Sequence, residues 1–155
     1  MKNISVLFVD DEPWCIEGLF SILTRRLNAH VSIASTLGTA IEKLKKEQFD
    51  IIILDCKMAR PFPGITISDE VLNFDESGVY TGPTFLKYIR LGTIGKLIKK
   101  PEIRNLPVIL YTVAAHNDKI MKTVSKFENT RLCSKHYGDE TLIELIRSML
   151  QNKTM

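Results

Sequence analysis

Long apolar runs are missing from this chain. Its first apolar stretch, residues 4–9, meets Asp10 and Asp11 after six residues, whereas a membrane span needs about 20 and a secretory core about 7 to 15. Cysteine is scarce: the three residues, Cys15, Cys56 and Cys133, are odd in number and show no CxxC spacing. That excludes a disulfide scaffold and leads us to expect a cytoplasmic location, without membrane association. A large charge of one sign is also lacking. Twenty-one Lys and Arg face 18 Asp and Glu for a net charge of +3, too little to argue for direct nucleic-acid binding. There is no internal repeat and no low-complexity tract. What remains is 155 residues of ordinary globular composition, the length of one domain with a real core.

Within that domain, short β-branched runs alternate with amphipathic stretches. Residues 4–9, 31–34, 51–54, 108–111 and 131–134 read as five strands. The run Ile51, Ile52, Ile53, Leu54 is apolar without interruption, the pattern of a strand buried on both faces. Helical spacing follows each strand, with Ile16, Leu19, Phe20, Leu23 and Leu27 as the first apolar stripe. Ser35 or Thr36 can cap a second helix and Thr84 begins a third. A fourth starts near Asp118, with Ile120, Met121, Val124 and Phe127 on one face, and Asp139 caps the last. Five alternations predict an α/β fold: a five-stranded parallel sheet in flavodoxin-like order 2-1-3-4-5, with helices on both faces. Residues 59–83, with three prolines and three glycines, read as irregular apart from a hinted hairpin at 65–67 and 71–72. Residues 91–105 read as a basic extension.

The carboxyl ends of parallel strands share one edge, where such sheets bind ligands. The expected strands end at Asp10 and Asp11, at Asp55, at Thr112 and at Lys135. Crowded carboxylates repel and raise one another's pKa unless a cation intervenes. A hard divalent ion with oxygen ligands, Mg²⁺ by preference, offsets that repulsion. With a lysine and a hydroxyl added, these are the parts that hold a phosphoryl group.

Order and spacing together resemble the receiver domain of two-component response regulators. The pattern comprises the acidic pair after the first strand, Asp55 with Met58 three residues on, Thr112 after Val108-Ile109-Leu110-Tyr111, and Lys135 opening the last loop. The resemblance spans nearly the whole chain, so residues 1–155 are expected to form a single receiver domain. It implies that Asp55 is the phosphoacceptor, that Asp10, Asp11, Asp55 and the backbone carbonyl of Lys57 hold Mg²⁺, and that Thr112 and Lys135 are the switch hydroxyl and phosphate-binding lysine. By the same resemblance Lys57 and Ala114, each two residues past a site residue, tune phosphoryl lifetime. A histidine kinase or histidine phosphotransfer protein would supply the group, and a downstream protein target or an output domain would read it. The chemistry is self-phosphorylation and self-dephosphorylation, not enzymatic turnover of a substrate.

The sequence departs from the family pattern in four places. His136 stands where proline usually follows the lysine, Leu132 where an aromatic usually precedes it by three, and Ala59 where proline is common after Met58. The family glycine before the third helix matches Gly82, which leaves an inserted loop at about 59–82, and a smaller extension at about 91–105. These departures keep open a pseudo-receiver that binds partners without phosphorylation. An aspartate-nucleophile phosphohydrolase is the other alternative, but its paired aspartates stand two apart and Asp10 and Asp11 are adjacent. Cys56 reads as an inert buried thiol, and His116 and His136 as solvated loop residues. No output domain is expected after the last helix, near Gln151, so the chain is either a stand-alone receiver or part of a longer regulator.

Overall fold

The computed structural model describes residues 2–59, 61 and 64–152, and not the side chain of Cys15. Arg60, Phe62 and Pro63, inside the stretch expected to be irregular, lie outside the described residues. The elements are β1 (Ile4–Val9), α1 (Glu17–Leu27), β2 (Ala29–Ala34), α2 (Leu37–Lys46), β3 (Ile51–Leu54), β4 (Ile65–Ile67) and β5 (Glu70–Leu72), then α3 (Thr81–Arg90), α4 (Thr93–Leu97), β6 (Val108–Thr112), α5 (Asp118–Ser125), β7 (Thr130–Ser134) and α6 (Asp139–Gln151). Short 3₁₀ turns occupy Pro13–Ile16, Pro101–Asn105 and Lys135–Tyr137. No helix among the described residues is long and apolar enough to cross a membrane.

Five parallel strands form one sheet in the order β2-β1-β3-β6-β7, the expected doubly wound order. β3 sits at the centre, with Val9 opposite Leu54 on one side and Leu54 opposite Leu110 on the other. All four β3 side chains are fully buried, because helices cover both faces and the strand has no polar side to offer. Alternation then sorts the residues. Leu7, Val9, Ile52, Leu54, Val108 and Leu110 pack with residues of α2, α3 and α4, whereas Val6, Phe8, Ile51, Ile53, Ile109 and Tyr111 pack with α1 and α6.

Side-chain caps set the starts of α2 and α5. Thr36 Oγ1 accepts from Thr39 N at 3.1 Å to cap α2, and Asn117 Oδ1 accepts from Ile120 N at 3.1 Å to cap α5. The last helix differs from expectation: Gly138 is its N-cap and Asp139 lies in the first turn without capping it, where its charge still suits the positive helix end. In α5 only Ile120 is buried; Met121 is 47% exposed and Phe127 lies past the helix end. The apolar spacing there implies one longer stripe, but the helix closes after eight residues.

The hinted hairpin is present, and the stretch expected to be merely basic carries structure. β4 and β5 form an antiparallel hairpin, Ile65 opposite Leu72, whose two turn residues, Ser68 and Asp69, both adopt positive φ, as a tight hairpin turn requires. Leu72 and Phe74 are buried, and the Phe74 ring meets Tyr88 of α3 edge-on at 5.8 Å. α3 starts at Thr81, three residues before the expected Thr84. The 91–105 extension is a folded corner: Gly92 opens α4 at φ +83°, and Ile94, Ile98 and Ile103 enter the core. Lys100 Nζ donates to Leu44 O at 2.8 Å and Glu47 O at 3.0 Å, so one of its lysines closes the carboxyl end of α2.

Candidate functional site

The strand ends converge as the parallel topology demands. Asp10 and Asp11 leave β1, Asp55 leaves β3, and one oxygen from each of the three carboxylates lies within 4.8 Å of the others. Lys135, at the end of β7, places Nζ 2.8 Å from Asp10 Oδ2 and 3.3 Å from Asp55 Oδ2. Each carboxylate is also aimed by a backbone amide. Glu12 N donates to Asp10 Oδ1 at 2.9 Å, Ala59 N to Asp11 Oδ2 at 3.1 Å, and Cys56 N to Asp55 Oδ1 at 2.8 Å. These bonds fix the side chains before any ligand arrives, so an ion or phosphoryl group meets a prearranged set.

Burial decides the electrostatics. Asp10 is 1% and Asp55 8% exposed. Burial pushes the Asp55 carboxyl up to about 6; Lys135 pulls the other way, and the Asp10 charge adds to the rise. Burial alone would lower Lys135, but the hydrogen bond to Asp10 and the two negative charges outweigh it and hold the ammonium above its usual value. One ammonium against three carboxylates leaves excess negative charge in a half-enclosed space. The donor set is all hard oxygen, which fits Mg²⁺ and not a thiolate-seeking metal.

Thr112 is fully buried at the end of β6. Its Oγ1 accepts from Ala114 N at 3.1 Å, and its hydroxyl faces the thiol of Cys56. Burial pushes that thiol up to about 12, so it is unreactive at neutral pH. Lys57 stands exposed at the bend after β3, and Ala114 is half-buried in the β6–α5 loop. Leu132 is half-buried and packs against the α2–α3 side of the core. His116 and His136 are exposed; the His116 ring meets Tyr137 edge-on, with Nε2 and Oη 3.5 Å apart.

The fold adds two tertiary contacts around the site. Gly82 lies against the end of β3, with its N donating to Cys56 O at 2.9 Å. A Cβ there would stand 2.0 Å from Asp55 O. Beside it, Thr81 Oγ1 donates to Met58 O at 3.3 Å, so the start of α3 braces the loop that carries Asp55. Lys119 of α5 sits 3.9 Å above the Tyr80 ring, joining the stretch before α3 to the helix after Thr112. A cation over an aromatic face carries no spacing signal in sequence.

A doubly wound parallel sheet with an acidic cluster at its carboxyl edge defines the receiver class. The family model for the response regulator receiver domain matches residues 6–87, more than half of the chain, and the chain belongs to that family. No curated protein sequence matches it. Among solved structures it is similar to a CheY-like receiver domain from Methanospirillum hungatei, at 18% identity and TM-score 0.66, covering 99% of this chain and 98% of that one. It is also similar to the receiver domain of a sensor histidine kinase from Pseudomonas aeruginosa with a magnesium ion coordinated in the active-site cleft, at 17% identity and TM-score 0.64, covering 97% and 99%. The response regulator TrrA from Thermotoga maritima, in complex with Mg²⁺ and BeF, aligns at 24% identity and TM-score 0.60 over 94% and 98%.

Proposed function

We propose that this chain is a phosphoryl-accepting receiver in which Asp55 takes a phosphoryl group from a histidine kinase or a histidine phosphotransfer protein and passes the signal on through protein contacts. The observation that carries the reading is the meeting of Asp10, Asp11 and Lys135 around the Asp55 carboxylate. In the transfer, an Asp55 oxygen attacks phosphorus as the bond to the donor's histidine nitrogen breaks, and that nitrogen keeps the electron pair. Lys135 moves its hydrogen bond onto a phosphoryl oxygen. Asp10, Asp11, Asp55 and the Lys57 carbonyl are the groups that would hold Mg²⁺, which when bound neutralises charge on the transferring oxygens. Thr112 then turns from Cys56 toward the phosphoryl group, biasing the β6–α5 loop toward a second packing. The module turns over no separate substrate and acts in the cytoplasm, reading out to a downstream protein or output domain.

Intact mass tests this. Incubated with acetyl phosphate and Mg²⁺, the wild type gains the mass of one phosphoryl group and Asp55→Asn gains none. An unmodified wild type would leave the pseudo-receiver reading, which Leu132 and His136 favour. Turnover of a phosphoester would instead point to a phosphohydrolase. Lifetime is a second readout. Lys57, exposed beside the acceptor, can fold over the phosphoryl group and alter the approach of attacking water, so Lys57→Ala should change the dephosphorylation rate about tenfold, in proportion to about 1.4 kcal/mol in the barrier. An unchanged rate removes Lys57 from the mechanism.

A further inference from the structure

Arg90, the last residue of α3, is 8% exposed and plays no part in the chemistry at Asp55. Its Nε and Nη2 donate to Thr130 Oγ1 at 3.1 and 3.0 Å, Nη2 also to Asn129 O at 2.7 Å, and Nη1 to Arg104 O at 3.0 Å. All these acceptors are neutral. A guanidinium has five N–H donors, so one hydrogen on Nη1 has no partner among the described residues. Burial lowers the guanidinium to about 10, and no carboxylate among the described residues counters that change. The partial negative end of α3 offsets only about half a charge. Burying a cation without a counter-charge is costly, and hydrogen bonds to neutral groups leave that charge uncompensated.

The wall that Arg90 forms belongs to an open cavity of about 530 Å³ at the end of the sheet away from Asp55. Arg104, from the 3₁₀ turn, and Lys126, just past α5, line it too, with Glu128 the only acid among the described lining residues. Three cations from three separate elements face one carboxylate. A planar monocarboxylate would meet two of them; a tetrahedral dianion carries enough charge and enough oxygens for all three.

We propose that this cavity is a binding site for a phosphate-type oxyanion, with Arg90 as its buried anchor and Arg104 and Lys126 as its closing arms. The site is separate from the phosphoacceptor. Its partner Thr130 opens β7, the strand whose far end delivers Lys135, so the two sites lie at opposite ends of one strand.

The test is a titration of ¹⁵N-labelled protein with sodium phosphate at neutral pH, at constant ionic strength and without Mg²⁺. Saturable shifts are expected in the amides of Arg90, Lys126, Asn129 and Thr130, with half-saturation on the order of 1 mM. The paired substitution Arg104→Gln and Lys126→Gln, at exposed positions, should keep the folded spectrum and weaken binding about tenfold or more. The pair is preferred to Arg90→Gln, which would also break the bonds to Thr130 and Arg104. O-phosphoserine is the second ligand: tighter binding than phosphate assigns the site to phosphomonoesters, weaker binding to free phosphate. Shifts that do not saturate across the millimolar range, unchanged affinity in the paired variant, or acetate binding as tightly as phosphate would each overturn the proposal. The outcome is independent of whether Asp55 accepts a phosphoryl group.

Discussion

Gly82→Ala should destabilise the fold by about 2 kcal/mol, although alanine is the better helix former by about 1 kcal/mol. The reason is the neighbour. A Cβ at position 82 would lie 2.0 Å from Asp55 O, 2.8 Å from Cys56 Cα and 2.9 Å from Asp55 C. All three are backbone atoms at the end of a strand buried on both faces, and they cannot swing aside as a side-chain tip can. Relief requires α3 to lift from the sheet or the end of β3 to shift, and overpacking of this kind costs about 1 to 3 kcal/mol, sometimes more. The bond from Gly82 N to Cys56 O, 2.9 Å long, is strained in the same movement. A urea titration would show a lower midpoint at unchanged slope. Stability equal to or above the wild type would mean that α3 does not press on the acceptor loop. Since the crowded carbonyl is that of Asp55 itself, the variant should also be phosphorylated poorly, even where it remains folded.

The second large effect is a gain. In metal-free buffer at neutral pH, Asp55→Asn should be more stable than the wild type by about 1 to 2 kcal/mol. Asp55 is held at about 6 in the fold, against 3.8 for an ordinary aspartate. A raised folded value means the native state holds the proton more tightly. Its contribution is therefore complete below pH 3.8 and is lost as pH climbs through about 6. A carboxyl that binds its proton about a hundredfold more tightly in the fold forfeits roughly 3 kcal/mol on ionising, and asparagine escapes that loss because it never charges. Part of the gain is forfeited: the amide can still accept from Cys56 N, but its NH₂ then faces Lys135 Nζ, which keeps only Asp10 at 2.8 Å. Denaturation curves at pH 7.5 and pH 4 should show the gap open at the higher pH and closed at the lower. A gap that persists at pH 4 would locate the effect in packing and not in charge.

Much of this is readable from the residues, for a physical reason. Parallel strands are short, apolar and bounded by polar residues, so Asp10, Asp11, Asp55, Thr112 and Lys135 mark the sheet edge in the sequence itself. Segments whose structure is decided by distant neighbours are not readable in that way. In residues 91–105 the lysines dominate the local pattern, yet Ile94, Ile98 and Ile103 supply the packing, and Lys100 serves a helix more than fifty positions earlier. Local propensity puts the start of α3 at Thr84, because Gly82 and Pro83 disfavour a helix interior. In the fold they occupy its first turn, where proline is tolerated and the glycine answers to a backbone it does not adjoin in sequence. Arg90 looks like any basic residue at a helix end; only tertiary contacts make it an interior cation.

The central strand β3 has a thermodynamic consequence. Ile52 and Leu54 complete one hydrophobic layer, Ile51 and Ile53 the other, and consecutive residues of one short segment cannot be released separately. Melting either layer would strip half of β3's burial and both of its ladders, leaving the opposite layer without its middle. The two halves of the molecule are therefore bound into one cooperative unit, in which partial unfolding is confined to the periphery.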